Sequence, residues 1–177
     1  MKPKYIMYLL IIFWLISLGA CKKAVPTGTD IPTTPDIPPT LATLQVGDTA
    51  ADFTAKDQNN QDVSLYDYSG KVILFEFSAD WCGPCQAESP HLEELCNEYK
   101  DRGFQVITLL ISGDPSTWAQ TYNLTFPVLD DNNESIWDGY GEGYVPLNLV
   151  VDRNYVIRYK VAGFDESEIR AIIEQYL

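Results

Sequence analysis

The residue pattern predicts an α/β domain, a central mixed β-sheet flanked by helices with an N-terminal β-hairpin ahead of it. Three observations carry that prediction. Residues 71–78, Lys-Val-Ile-Leu-Phe-Glu-Phe-Ser, form an apolar run with β-branched and aromatic content, the pattern of a buried strand. The hydrophobic period then changes: Leu92, Leu95, Cys96 and Tyr99 recur at i, i+3, i+4 and i+7, so a helix starts near Gly83 and buries that face. A second apolar run, Phe104 to Ile111, follows at the distance of a right-handed β-α-β crossover.

The remaining elements follow in order. A short strand near Phe53 turns through Asp57-Gln58-Asn59-Asn60-Gln61 into another at Val63, making the hairpin. Asp114-Pro115 places a capping residue before a proline at the first helical position, predicting a helix to about Tyr122. Phe126 to Leu129 is a short strand. Leu147–Val151 and Tyr155–Val161, joined by Asp152-Arg153-Asn154, form an antiparallel pair. Asp165 with Glu168 suggests a capping box, and Ile169, Ile172, Ile173 and Tyr176 stripe a C-terminal helix. Pro90 inside the long helix removes a donor and is expected to kink it.

Trp81-Cys82-Gly83-Pro84-Cys85 lies where the first core strand meets its helix. Cys82 there faces free backbone N–H groups and the positive end of the helix dipole, which favour a thiolate, the attacking species in disulfide exchange. Cys85, one turn further in, suits the resolving role. Zinc is disfavoured, because one Cys pair supplies two ligands and neither Cys96 nor the single histidine, His91, stands at matching spacing. A permanent structural disulfide is disfavoured because so short a loop gains little on closure. Cys96 reads as a core side chain and His91 as a surface residue. No metal and no cofactor other than the Cys82/Cys85 pair is expected.

At the N-terminus, Lys2 and Lys4 precede an apolar run ending in Leu18-Gly19-Ala20-Cys21, so residues 1–20 read as an export signal too short for a comfortable membrane span. The ending resembles the lipobox of bacterial lipoproteins, which implies acylation of Cys21 and a lipid anchor at the extracytoplasmic face of the bacterial cell envelope. Residues 21–43, with Pro26, Pro32, Pro35, Pro38 and Pro39 among threonines, read as a semi-rigid tether, and residues 44–177 as the folded domain. The formal charge of −13 excludes nucleic acid as a natural partner and leaves basic client proteins as one possibility.

The order of elements and the motif resemble the thioredoxin-like fold. Trp81 to Cys85 resembles the thioredoxin active site, and Val145-Pro146 the cis-proline segment opposite it. Val46-Gly47-Asp48, Asp52-Phe53 and Gly70-Lys71 are similar to the membrane-anchored thiol-disulfide oxidoreductases of the TlpA/ResA type, within the redoxin (AhpC/TSA) superfamily. That resemblance spans nearly all of 44–177. It implies a redox enzyme with Cys82 and Cys85 as reactive thiols and Trp81, Gly83, Pro84, Val145 and Pro146 against the client. It also matches Glu76 to the buried acid of thioredoxin and Glu88 to an active-site glutamate of the ResA type, either of which would exchange the proton of the resolving thiol. Two positions depart from the family pattern: Leu147 replaces a small polar residue after the proline, and Gly141-Glu142-Gly143-Tyr144 suggests a flexible rim where Tyr144 meets clients.

Gly-Pro between the thiols resembles strongly reducing thioredoxin, at about −270 mV, more than the oxidant DsbA, at about −120 mV, and favours a reductase of protein disulfides. Its partners would be proteins with cysteine pairs and a membrane electron donor or acceptor. Cytochrome c maturation, copper-site cysteines and general redox homeostasis all fit. Two other classes are kept: a thiol peroxidase of the peroxiredoxin type, which is expected to have Pro and Thr where this chain has Phe75 and Ala79, and a non-catalytic client-binding module, which has no need of both thiols.

Overall fold

The computed structural model describes residues 43–177. The expected export signal, Cys21 and the expected tether up to residue 42 lie outside the described residues. No described helix is long and apolar enough to cross a membrane.

The hairpin pairs β1 (Thr54–Lys56) with β2 (Asp62–Ser64) antiparallel, and a one-turn helix at Leu65–Tyr68 leads into the main sheet. Next come β3 (Val72–Ala79), α1 (Gly83–Tyr99), β4 (Phe104–Ser112), α2 (Pro115–Tyr122) and β5 (Val128–Asp130). The chain ends with α3 (Trp137–Tyr140), β6 (Leu147–Val151), β7 (Ile157–Ala162) and α4 (Glu166–Tyr176). The sheet order is β5-β4-β3-β6-β7. Strands β3, β4 and β5 run parallel, β6 is antiparallel to β3, and β7 is antiparallel to β6. The fold is thioredoxin-like.

Strand β3 takes the centre because all eight of its residues are buried, which requires a neighbour on both edges and cover on both faces. Alternation sends Val72, Leu74, Val106, Leu110 and Val150 to one face, where Leu92, Leu95, Tyr99, Trp118, Ile169 and Ile173 of the helices cover them. Ile73, Phe75, Phe77, Ile107, Leu109 and Leu149 point the other way, onto Phe53, Leu65 and Tyr140.

Most boundaries follow local chemistry. Helix α1 starts with Cys82 extended at its cap and Pro84 in its first turn, and it runs through Pro90 to Tyr99. Asp114 caps α2 by accepting the Thr117 N–H at 2.7 Å. Two expectations need correction. Strand β5 begins at Val128 rather than Phe126, because Pro127 has no N–H to give the ladder, and Phe126 instead fills the core. The box expected at α4 is half formed: Asp165 accepts the Ser167 and Glu168 N–H groups, but the Glu168 carboxylate turns to accept the Tyr159 hydroxyl at 3.2 Å.

Candidate active site

Cys82 and Cys85 are joined as a disulfide at the N-terminus of α1. Cys82 is 4 % exposed and Cys85 fully buried, so the expected order of accessibility holds while Cys82 is more enclosed than a cap position suggests. The Cys85 backbone N–H donates to Cys82 Sγ at 3.2 Å, the contact that would stabilise a thiolate there once the pair is reduced. Cys82 Sγ also lies 3.6 Å from the Val145 carbonyl oxygen. The Val145–Pro146 peptide bond is cis, and the Pro146 carbonyl accepts the Gly163 N–H at 2.8 Å. Trp81, next to Cys82 in sequence and 68 % exposed, and Tyr144, next to Val145 and 73 % exposed, stand out from the surface. The glycine-rich rim is fastened: Glu142 bonds the buried Lys160 ammonium at 2.8 Å and accepts from the Gln45 amide.

Beneath the disulfide lies a buried polar group. Glu76 is fully buried and Glu88 is 2 % exposed, so neither is the solvated surface acid that periodicity alone would allow. Glu88 follows Cys85 by three residues, one turn along the same helical face. Register aligns Thr108 of β4, Glu76 of β3 and Asn148 of β6 in one row across the sheet, on the face covered by α1. The Thr108 hydroxyl donates to Glu76 Oε2 at 2.9 Å. The Asn148 amide donates to Glu88 Oε1 at 3.3 Å and to the Gly163 carbonyl at 3.1 Å. Burial raises both carboxyls well above the usual carboxylate range; for Glu88 the neighbouring Glu76 charge raises it further, and the Asn148 bond opposes the rise. The two carboxyls are close enough that the charge of one disfavours ionisation of the other. Glu88 also borders a pocket of about 270 Å³ with Pro84, Ala87, His91 and Phe164.

The structure therefore brings together Trp81, Cys82, Gly83, Pro84, Cys85, Glu76, Glu88, Val145 and Pro146. Sequence reading missed Thr108, Asn148 and Ser78, a third fully buried polar residue on the same face of β3. Thr108 and Asn148 are lone polar residues in apolar runs, and that interruption was the available signal; Ser78, between Glu76 and Asp80, offered none. Cys96 is buried in the core and His91 is exposed, as expected.

The AhpC/TSA family model matches residues 46–160. The chain belongs to this family. Curated relatives include the thiol-disulfide oxidoreductase ResA of Geobacillus thermodenitrificans, 31% identical over 124 residues, covering 68% of this chain and 71% of the relative. ResA of Oceanobacillus iheyensis is 34% identical over 126 residues, covering 67% and 66%. Among solved structures, a candidate thiol:disulfide interchange protein DsbE from Chlorobium tepidum superposes with a TM-score of 0.68 at 29% identity, covering 75% of this chain and 96% of that one. The exposed lipoprotein thioredoxin of Streptococcus pneumoniae superposes at 0.63 with 26% identity, covering 71% and 99%. This AhpC/TSA protein is a thiol-disulfide oxidoreductase with a Cys82/Cys85 pair.

Proposed function

We propose that the protein is a lipid-anchored reductase of protein disulfides at the extracytoplasmic face of the bacterial cell envelope. The observation that carries the chemistry is the Cys82–Cys85 disulfide at a helix N-terminus, with Val145 backbone beside the outer sulfur and a carboxyl pair under the inner one. In the reduced enzyme the Cys82 thiolate attacks a client disulfide, forming a Cys82–client bond and releasing one client thiolate. Cys85 then gives its proton to the Glu76/Glu88 pair and attacks Cys82 Sγ. The Cys82–Cys85 bond closes, the second client thiolate leaves and takes up a proton, and two electrons have passed to the client. The Val145 carbonyl, 3.6 Å from Cys82 Sγ, supports pairing with an extended client main chain. A membrane electron donor would restore the dithiol, and the clients would be cysteine pairs of the kind handled in cytochrome c maturation or general redox homeostasis. Anchoring rests on the Leu18-Gly19-Ala20-Cys21 ending and on the pneumococcal relative's being an exposed lipoprotein.

Cys85→Ser is expected to trap clients as mixed disulfides on Cys82, whereas Cys82→Ser traps none; adducts on Cys96 would overturn the assignment. A reduction potential of about −200 mV or lower supports the reductase direction, and one near −120 mV sinks it. Intact mass should show acyl chains on Cys21, and an unmodified N-terminus elsewhere refutes the anchor.

A further inference from the structure

Beside the active-site turn lies a second pocket of about 280 Å³ lined by Asp80, Gln86, Asp114, Thr117, Trp118, Thr121 and Tyr122. Asp80 precedes Cys82 by two residues, so their Cα atoms are at most about 7 Å apart. The Gln86 amide donates to the Asp80 carbonyl at 2.7 Å, which joins this wall to the first turn of α1. The Asp80 carboxylate is held in place: the Ser112 hydroxyl donates to Oδ1 at 2.9 Å, and Gly113 presses so close that a Cβ there would meet the Asp80 Cβ at 2.9 Å. Asp114 is held by Thr117, whose hydrogen bonds keep its carboxyl below the usual range. Neither carboxylate has a cationic partner among the described residues. The Trp118 and Tyr122 rings, 4.8 Å apart, line the same wall, Trp118 buried in the core and Tyr122 partly exposed.

Two fixed carboxylates without a cationic partner, beside the partly exposed Tyr122 ring, suit an organic cation, to which the ring adds cation–π attraction. The charge distribution agrees. The segments 79–86, 112–117 and 162–168 around the redox end hold Asp80, Asp114, Asp165 and two glutamates but no lysine or arginine. Lys71, Lys100, Arg102 and Arg153 cluster where β3 begins and α1 ends, at the opposite end of the sheet. Such a field draws cations toward the disulfide. We infer that this pocket is a subsite for a lysine or arginine side chain flanking the reactive cysteine of a client polypeptide, a reading that rests on disulfide exchange with polypeptides as the protein's reaction.

The test uses the reduced full-length protein in detergent and three synthetic peptides, each with one internal disulfide flanked by lysine, glutamine or glutamate. Single-turnover reduction should be about fivefold faster for the lysine peptide than for the glutamine peptide, and slowest for the glutamate peptide. The advantage should collapse in about 0.5 M salt. Asp114→Asn preserves the α2 cap, since asparagine caps as well as aspartate. In that variant the lysine and glutamine rates should converge while the glutamine rate stays at its wild-type value, and Asp80→Asn provides the same readout independently. Equal rates for all three peptides, or a lysine preference that survives both substitutions, would overturn the subsite alone. Reduction of none of the peptides would instead bring down the polypeptide-exchange reading on which it stands.

Discussion

The two faces of the central sheet are built from the same three strands and do opposite work. On one face Phe75 and Phe77 meet Phe53, Tyr140 and Trp137 edge to face or tilted, with centroids 5.2–5.9 Å apart, a dry aromatic cluster. On the other, one residue away along each strand, Thr108, Glu76 and Asn148 form a polar row beneath the disulfide, leaving Glu76 Oε1, Ser78 Oγ and Asn148 Oδ1 without partners. The aromatic face supplies stability; the polar face costs stability and, in the mechanism proposed above, supplies a proton site. A strand reverses face at every residue, so the sheet carries both without any change of backbone.

Phe75→Ala gives the largest effect. It should destabilise the domain by about 3–5 kcal/mol in denaturant unfolding while leaving the pH dependence of thiol exchange unmoved; a shifted profile would mean the two faces are coupled. Glu88→Gln works the other way. The unfolded chain releases this proton near about pH 4.3, and the folded protein keeps it to higher pH because burial raises the carboxyl. Stability on this account is fullest below that pH and falls as pH rises through neutrality. The Gln variant should therefore gain about 1–2 kcal/mol near pH 8 and show a flatter melting-temperature profile, while mixed-disulfide resolution slows on the order of a hundredfold. If both slope and resolution rate are unchanged, the carboxyl pair has no part in the chemistry.

Asn148→Leu sharpens the comparison within the polar face. Loss of the donor to Glu88 should raise that carboxyl further and move the pH profile of exchange to higher pH, at a stability change of about 1 kcal/mol; an unmoved profile assigns Asn148 to packing only. Tyr140→Phe, on the aromatic face, gives the smallest effect. It removes the 2.6 Å hydrogen bond to the Ala51 carbonyl and should cost about 0.5–1.5 kcal/mol, read as a lower denaturant midpoint with exchange rates unaltered.

What the sequence determined by itself is what local chemistry dictates. The apolar run of residues 71–78 had to be a buried strand, the Cys82 cap and the i, i+3, i+4, i+7 stripe had to be a helix, and their junction had to present two thiols one turn apart. Glu76 and Glu88 were legible as candidates from their spacing to the cysteines, but not as a pair, because which face a strand residue takes and how deep a helix residue sits depend on partners far along the chain. Only the tertiary structure decided that. Thr108 and Asn148 lie 32 and 72 residues from Glu76, and strand register, fixed by how all the apolar positions pack at once, is what sets them in one row. The same holds for Asp80, unremarked in the sequence, and Asp114, legible there only as a helix cap, which the ends of β3 and β4 bring to the walls of one pocket.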